Sequence, residues 1–469
     1  MIIADLVRVA TTEFEAKMFE FGQNLDTRRL TADLAEKISH ALEDALSAAG
    51  RSACKAFLES YDFQEPTLEV NGRTLRLKTI SPKTFLTRFG LIEILRGLYQ
   101  ADQGGPAYVP LDHLWDMDGH FATVDVREAV CFAMAHMTAQ ETAQLFEKCS
   151  AFRPSATAIK HIVEKVSDDI RPHQERIETR IQEHIEVPDQ TRVFVASMDG
   201  ANVLLREQGT PRGRPPERPG KEADKDKHST YKNAMVATLS LYGEVPEDQT
   251  SPQRLASVAM ARMPEEKALT LKEKFEHQLD VLEPKIGPHV IKIFLSDGHR
   301  SLWNYVYPNE RFDDYEKLID FYHTEEHLSK AAAALFGKHS TKAKAWYNRC
   351  RVTLLEQDDA ASLVLRSMNY YCQTQRLSKT RREDLAKEQT FFRRNKHRMD
   401  YADFRTRGLP IGSGPVEAAC KSIVKTRLCR SGMRWSRQGG QRILDLRCYA
   451  KSGLWDPFWE AYKYYQRSA

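Results

Sequence analysis

Apolar residues recur at helical spacing through Leu34, Ile38, Leu42 and Leu46, which predicts that residues 1–60 are helical. The pattern then alternates: Leu68 and Val70, the dipeptide Asn71-Gly72, then Leu75 and Leu77. Asn-Gly between two alternating runs is a hairpin signal, because both residues tolerate the positive φ of a tight turn. Helical spacing returns over 138–148, with Ala139, Thr142, Ala143 and Phe146 inward. It breaks at 150–154 and resumes from Ser155 with Ala158, Ile159 and Ile162 inward. Two short helices around a break can place the second one in a DNA major groove, with Lys160 and His161 as its contacts. Such helix pairs also occur in proteins of every other function.

From Arg192 the texture changes. Val193-Phe194-Val195-Ala196 reads as a buried strand that ends at Ser197-Met198-Asp199-Gly200. Residues 207–230, rich in Pro, Gly, Lys and Arg, read as a loop. A second strand is expected over 234–239 and a helix over 264–282. A third strand over 290–295 ends at Ser296-Asp297-Gly298, and 317–323 reads as a further strand. Residues 324–400 have helical texture, 408–414 form a glycine-rich break, and a basic helix begins at Pro415. The expected fold class is α/β, mixed α+β overall. The expected divisions are 1–60 (helical), 61–125 (hairpin-containing), 126–185 (helix-turn-helix-like), 190–323 (strand-rich core), 324–410 (helical insertion) and 411–469 (basic carboxyl-terminal region).

A chain of 469 residues with 41% hydrophobic and 29% charged residues has ordinary globular composition and room for two to four domains. Asp5, Glu13, Glu15 and Lys17 interrupt the amino terminus, so it does not read as a secretory signal, and no apolar run is long enough to cross a bilayer. A soluble, cytoplasmic protein is expected. None of the eight cysteines forms a C-x-x-C pair, which points to reduced thiols, several of them in the core. Charge changes the picture more. Residues 376–451 hold 20 Lys or Arg against 7 Asp or Glu, a balance of +13 in a chain of net charge +4, so the remainder carries −9. A basic carboxyl-terminal third on a mildly acidic body points to a polyanion, most simply nucleic acid.

Asp199 and Asp297 each follow an apolar strand run and precede glycine, 98 residues apart. A carboxylate at the carboxyl end of a buried strand is held rigidly where α/β folds put ligand chemistry, and Asp is a hard donor suited to magnesium or manganese. Asp-Gly is equally a common turn dipeptide. The third element is Gly412-Ser413-Gly414-Pro415-Val416-Glu417, with Glu417 in the first turn of a helix and Lys421 and Lys425 at successive steps of four. An amphipathic surface helix would show the same spacing. Glu325 and Glu326 lie only 28 and 29 residues after Asp297 and are alternative third carboxylates.

In these contexts the residues resemble the catalytic triad of DDE-type bacterial insertion-sequence transposases, specifically the group with a long helical insertion related to Mutator-like elements. The stretches that carry the resemblance are DGANVLLRE, YKNAMVATLSLYG, FLSDGHRSLWNYV, LIDFYHTEEHL and GLPIGSGPVEAACKSIVKTRLCRSGMRWSRQGGQRIL, covering roughly 190–450. Pro110-Leu111-Asp112 also matches, although the cysteine pair that often precedes that sequence in the family is missing. The resemblance implies a ribonuclease-H-like core in which two Asp project from central strands and a Glu from a later helix. Asp199, Asp297 and Glu417 would then be catalytic and would hold two Mg2+ or Mn2+ ions. The helix of Glu417 and its basic face match the family better than Glu325 or Glu326 do. Asp320 and His323 resemble an Asp-x-x-His element near the site. Lys421, Lys425, Arg427, Arg430, Arg434 and Arg437 are candidate phosphate contacts, and Trp435 a candidate for base stacking.

The function implied is cleavage at transposon ends and transfer of the 3′ strand into target DNA. DNA would be the partner and the chain at least a dimer when assembled on it. Two other functions fit the same residues: a DNA-binding regulator without catalysis, and a structure-selective nuclease or resolvase. No G-x-x-x-x-G-K-[ST] phosphate loop is present.

Overall fold

A computed structural model describes residues 3–23, 30–206 and 231–467; the loop expected over 207–230 lies outside the described residues. The chain divides into two units, Met1–Arg180 with Asp456–Ala469, and Ile181–Trp455.

In the first unit, helices α1 (Ile3–Gly22) and α2 (Ala32–Glu59) precede an antiparallel sheet of β1 (Thr67–Val70), β2 (Arg73–Thr87) and β3 (Gly90–Gln100). The β1–β2 turn is Asn71-Gly72, with φ of 50° and 73°. The helical expectation for 1–60 is met, but the inward face of α2 differs from the one expected. Leu34 is buried, whereas Leu42 and Leu46 are 38% and 61% exposed, and Ala45, Ala48, Ala49 and Leu58 face inward instead. Small residues let a helix approach its neighbours closely, and that close approach is invisible to a count of large side chains. There follow α3 (Pro110–Leu114), α4 (Val124–His136), α5 (Ala139–Cys149), α6 (Ala156–Ile170) and α7 (Gln174–Glu183). A capping box between Thr138 and Glu141 starts α5, and the Ser155 hydroxyl caps α6. The break at 150–154 is therefore specified at its far end by a cap.

The second unit is built on a five-stranded mixed sheet of order β6-β5-β4-β7-β8. Its strands are β4 (Val193–Leu204), β5 (Tyr231–Tyr242), β6 (Arg254–Arg262), β7 (Ile291–Ser296) and β8 (Glu316–Ile319). β4, β5 and β6 pair antiparallel; β7 runs parallel to β4, and β8 parallel to β7. The overall class is mixed α/β. Helices α8 (Leu269–Leu282) and α9 (Arg300–Val306) cover one face, meeting Phe194, Ala196, Met198 and Phe294. The other face carries Val193, Val195, Ile293, Leu295 and Leu318. It is covered by α10 (Phe321–Phe336), α11 (Thr341–Glu356), α12 (Ala360–Thr374), α13 (Lys379–Asn395) and α14 (Tyr401–Thr406). The sheet takes alternate residues of each strand into opposite cores, which is why these strands read as continuous apolar runs. The helical segment is thus one wall of the core.

Four expectations need correction here. β4 does not end at Asp199: it stays paired with β5 as far as Leu204↔Tyr231. Strand β6 was not expected, because its Ala-rich run lacks a strand pattern. Helix α8 starts at Leu269 rather than 264, since Lys267 and Ala268 take φ of 51° and 53°. β8 stops at Ile319; Asp320 caps α10, so 321–323 are helical.

After a glycine-rich turn come α15 (Gly414–Ala419), a π-helical turn (Cys420–Lys425) and α16 (Thr426–Leu428), then α17 (Arg437–Lys451) and α18 (Trp455–Arg467). Nearly all of α18 belongs to the first unit. There the Tyr462 hydroxyl accepts from the fully buried Arg127 Nη1 at 2.8 Å and donates to Asp169. Among the described residues no helix is long and apolar enough to cross a membrane.

Candidate active site

The residue offset between paired β4 and β7 positions is constant: Val193↔Ile291 through Ala196↔Phe294. The same offset separates Met198, whose carbonyl accepts from the Ser296 hydroxyl, and then Asp199 and Asp297. The 98-residue spacing seen in the sequence is therefore the register of two adjacent parallel strands, and both carboxylates stand at one level of the sheet. By alternation along β4, Asp199 shares the face of Val193 and Val195, the face covered by α10–α14.

Burial lifts the Asp199 carboxyl above the ordinary aspartate range, and the neighbouring Asp297 charge lifts it further. The Gly200 N–H, which donates to Asp199 Oδ1 at 2.6 Å, the Cys420 thiol and the Lys425 ammonium oppose that rise. Cys420, on the π turn, is buried and donates to Asp199. Its thiol is pushed well above the usual range by burial, then by Asp199, with Glu417 adding to the effect. A π-helical turn within an α-helix often marks a functional position, and here it packs against β4 and presents Cys420 to Asp199. It also alters the helical step, so Lys421 and Lys425 do not continue the face of Glu417 as a plain step of four would.

Asp297, just past β7, accepts from the His299 N–H at 2.9 Å through Oδ1, and its carbonyl accepts from the Trp303 indole at 2.7 Å. Glu417 is exposed on α15. Among the described residues no three His, Cys, Asp or Glu side chains are arranged to hold a metal ion. The Asp297 charge acts on Asp199, and Glu417, exposed on α15, acts on the Cys420 thiol that donates to Asp199. Two neighbouring carboxylates, with Asp199 held above its ordinary range, suit a divalent cation. Neither Glu325 nor Glu326 stands out as a third. Glu325 is bound to Arg351 and Tyr347, and Glu326 is exposed beside Lys330.

Asp320, only 5% exposed, is an anchor rather than an available ligand. Oδ1 accepts from the His323 N–H, capping α10, and Oδ2 accepts from the Ser413 N–H. With the Phe321 N–H on the Ile411 carbonyl, this fixes the turn that launches α15. Gly412 packs closely there: a Cβ would stand 2.8 Å from the Tyr322 ring, which is exposed and would have to shift. His323 is half-buried and lies within the influence of Asp297 and Asp320. Burial lowers its pKa. Its Nε2 meets His327 Nε2 at 3.3 Å, and His327 Nδ1 meets Glu388 at 2.6 Å. His327 and Glu388 were not foreseen; a His four residues after His323 on a helix was the available signal.

Two proposed DNA contacts are turned inward. Arg427 is 2% exposed, with its guanidinium against the Trp435 ring at 5.2 Å. The Trp435 indole donates to the Leu428 carbonyl at 3.0 Å, and its backbone pairs with Leu204 and Arg206 at the end of β4. Both side chains hold the carboxyl-terminal segment on the sheet. Arg437 anchors α17 to the Pro264 carbonyl. Lys421, Lys425, Arg430 and Arg434 belong to exposed positions.

No protein-family model and no curated protein matches the chain. A solved structure described as a Drosophila P element transposase strand transfer complex aligns over 71% of this chain and 80% of that one, at 12% identity and a TM-score of 0.24. A likeness that low carries no argument about fold or function.

Proposed function

We propose that the second unit is a ribonuclease-H-like catalytic domain and the chain a DDE-type transposase, cutting DNA at element ends and joining the 3′ strand to target DNA. The observation that carries the reading is the pair Asp199 and Asp297, level with each other on the central strand and its parallel neighbour, half-buried and mutually repelling. The motifs of 190–450 and the basic carboxyl-terminal region support the choice of substrate. Asp199 and Asp297 would hold Mg2+ or Mn2+, with Glu417 completing the set. Metal bound there supplies activation of the attacking oxygen and stabilisation of the leaving one. The chain's own contribution is positional. The Cys420 thiol and Gly200 N–H fix the Asp199 carboxylate, the His299 N–H fixes that of Asp297, and Lys425 places positive charge beside them.

The test is incubation with DNA carrying the inverted repeats that flank the coding sequence, in Mg2+ or Mn2+. Asp199→Asn, Asp297→Asn and Glu417→Gln should each keep DNA binding and lose cleavage and joining together. Combining them should add little, because the carboxylates act as one unit. A Glu417→Gln protein active at parental rates would remove Glu417 from the set. Parental protein that binds the repeats yet neither cuts nor joins them would favour the regulator reading.

A further inference from the structure

Beside Asp297 the surface opens into a groove of about 790 Å³ between α9 and α13, beginning at Gly298. Arg300, Lys387, Arg394, His397 and Arg398 line it, and no lining residue is acidic. Of these cations Lys387 is paired, with Asp384 at 2.8 Å, and Asp297 stands at the Gly298 end. The aromatic side chains are Trp303, Tyr307 and Phe391. Arg398 is only 7% exposed, and its guanidinium lies on the Trp303 ring at 4.1 Å and near Tyr307 at 5.2 Å. One nitrogen donates to Asn395 and the guanidinium also interacts with the Tyr307 hydroxyl, while Nε and Nη1 are buried, and among the described residues no carboxylate pairs with the group. A buried cation without a counter-charge is costly, so it marks a place where an anion is expected to arrive. Trp303 links this charge to the site, because the same indole donates to the Asp297 carbonyl.

We propose that this groove is a track for one unpaired DNA strand leaving the Asp199–Asp297 pair, its phosphates beside Arg300 and Arg394 and a base against Tyr307. The choice of DNA rests on the transposase reading; the choice of a polyanion rests on the groove alone. The strand is unpaired because Tyr307 is an aromatic side chain 45% exposed in the groove, with Arg398 and Lys317 at 5.2 and 5.9 Å from its ring centre, and bases within a duplex have their faces covered. Arg398 is the fixed charge beneath, and Arg300 and Arg394 are the exposed cations that meet the backbone.

The test uses the full chain and a fluorescein-labelled oligothymidine of about fifteen nucleotides, a length in the range such tracks cover, with binding read by anisotropy across a salt series. The double charge reversal R300E/R394E should weaken binding at least about tenfold and reduce the salt slope by about 1.4, two contacts at about 0.7 each. Tyr307→Ala should weaken binding by about tenfold with the slope unchanged, since it removes stacking and no charge. K342E/K344E makes the same charge change at exposed positions of α11 that do not line the groove and should bind within about twofold of the parent. Equal losses in both double variants, an unchanged R300E/R394E, or a parent that binds duplex but not the single strand would overturn the proposal. Melting curves confirm folding, which reversal at exposed positions should preserve. Asp297→Asn separates the two readings. It should bind the strand like the parent while losing cleavage, so retained cleavage there sinks the catalytic assignment and leaves the groove standing.

Discussion

Asp199 carries a charge whose burial the fold opposes: it sits beside a second carboxylate, with a thiol, a backbone N–H and a lysine holding it in place. Without metal, that repulsion should cost stability. Asp199→Asn is expected to raise the melting temperature in EDTA at pH 8 by about 1–3 °C. Mg2+ should then stabilise the parent more than the variant, since a ligand that binds only the folded form stabilises by about 2.7 kcal/mol at a hundred times its Kd. Equal responses to Mg2+ would mean that Asp199 holds no metal. A second expectation concerns thiols. Cys149 and Cys429 are exposed, whereas Cys420 is buried with its thiolate disfavoured. Maleimide labelling of the native protein, mapped by mass spectrometry, should modify Cys149 and Cys429 and leave Cys420 unlabelled until denaturant is added. The two aspartates were legible as residues because each ended an apolar run. Cys420 was not, because the turn that aims it at Asp199 is π-helical, a departure that carries no spacing signal.

Among the elements, the turn from Leu409 to Ser413 is the least self-sufficient. Its geometry depends on the Asp320 carboxylate, which caps α10 and also accepts from Ser413, 93 residues further along. Asp320→Ala loses a cap and leaves a second N–H without its acceptor, which should cost about 2–4 kcal/mol. Hydrogen exchange should show the loss concentrated at 411–419 and at the first turn of α10. A uniform loss across the sheet, or none, would contradict the anchoring role. Asp320 with His323, known from the sequence only as a resemblance, and the glycine-rich break lie far apart in the chain; their union depends on β8 ending beside that break. The strand over 317–323 was overread for the same reason, since its second half is the helix that Asp320 starts. Strand β6 was missed because Ala, Ser and Met carry little strand preference, and its pairing with β5 is decided by the sheet.

At the scale of the whole chain, the last helix belongs with the first unit. Arg127, fully buried, relies on the Tyr462 hydroxyl and the Asp116 carbonyl. Removing residues 455–469 takes away that hydroxyl together with the buried Phe458 and Trp459. Breaking a buried polar pair at one partner costs about 3–5 kcal/mol. The truncated chain should therefore lose exchange protection across α4 and α6 while β4 and β7 stay protected. If protection falls first in the sheet, the assignment of α18 is wrong. What the sequence determined by itself was local: the Asn71-Gly72 turn, the two helices on either side of 150–154, and the buried runs of β4, β5 and β7 with an aspartate following two of them. These depend on propensity and periodicity within a few residues. What only the tertiary structure decided was long-range: that a spacing of 98 residues is one parallel register, that Arg427 and Trp435 pack on each other, that Asp320 grips Ser413, and that Cys420 meets Asp199. Each of those depends on which surfaces meet, and a residue type does not encode its distant neighbour.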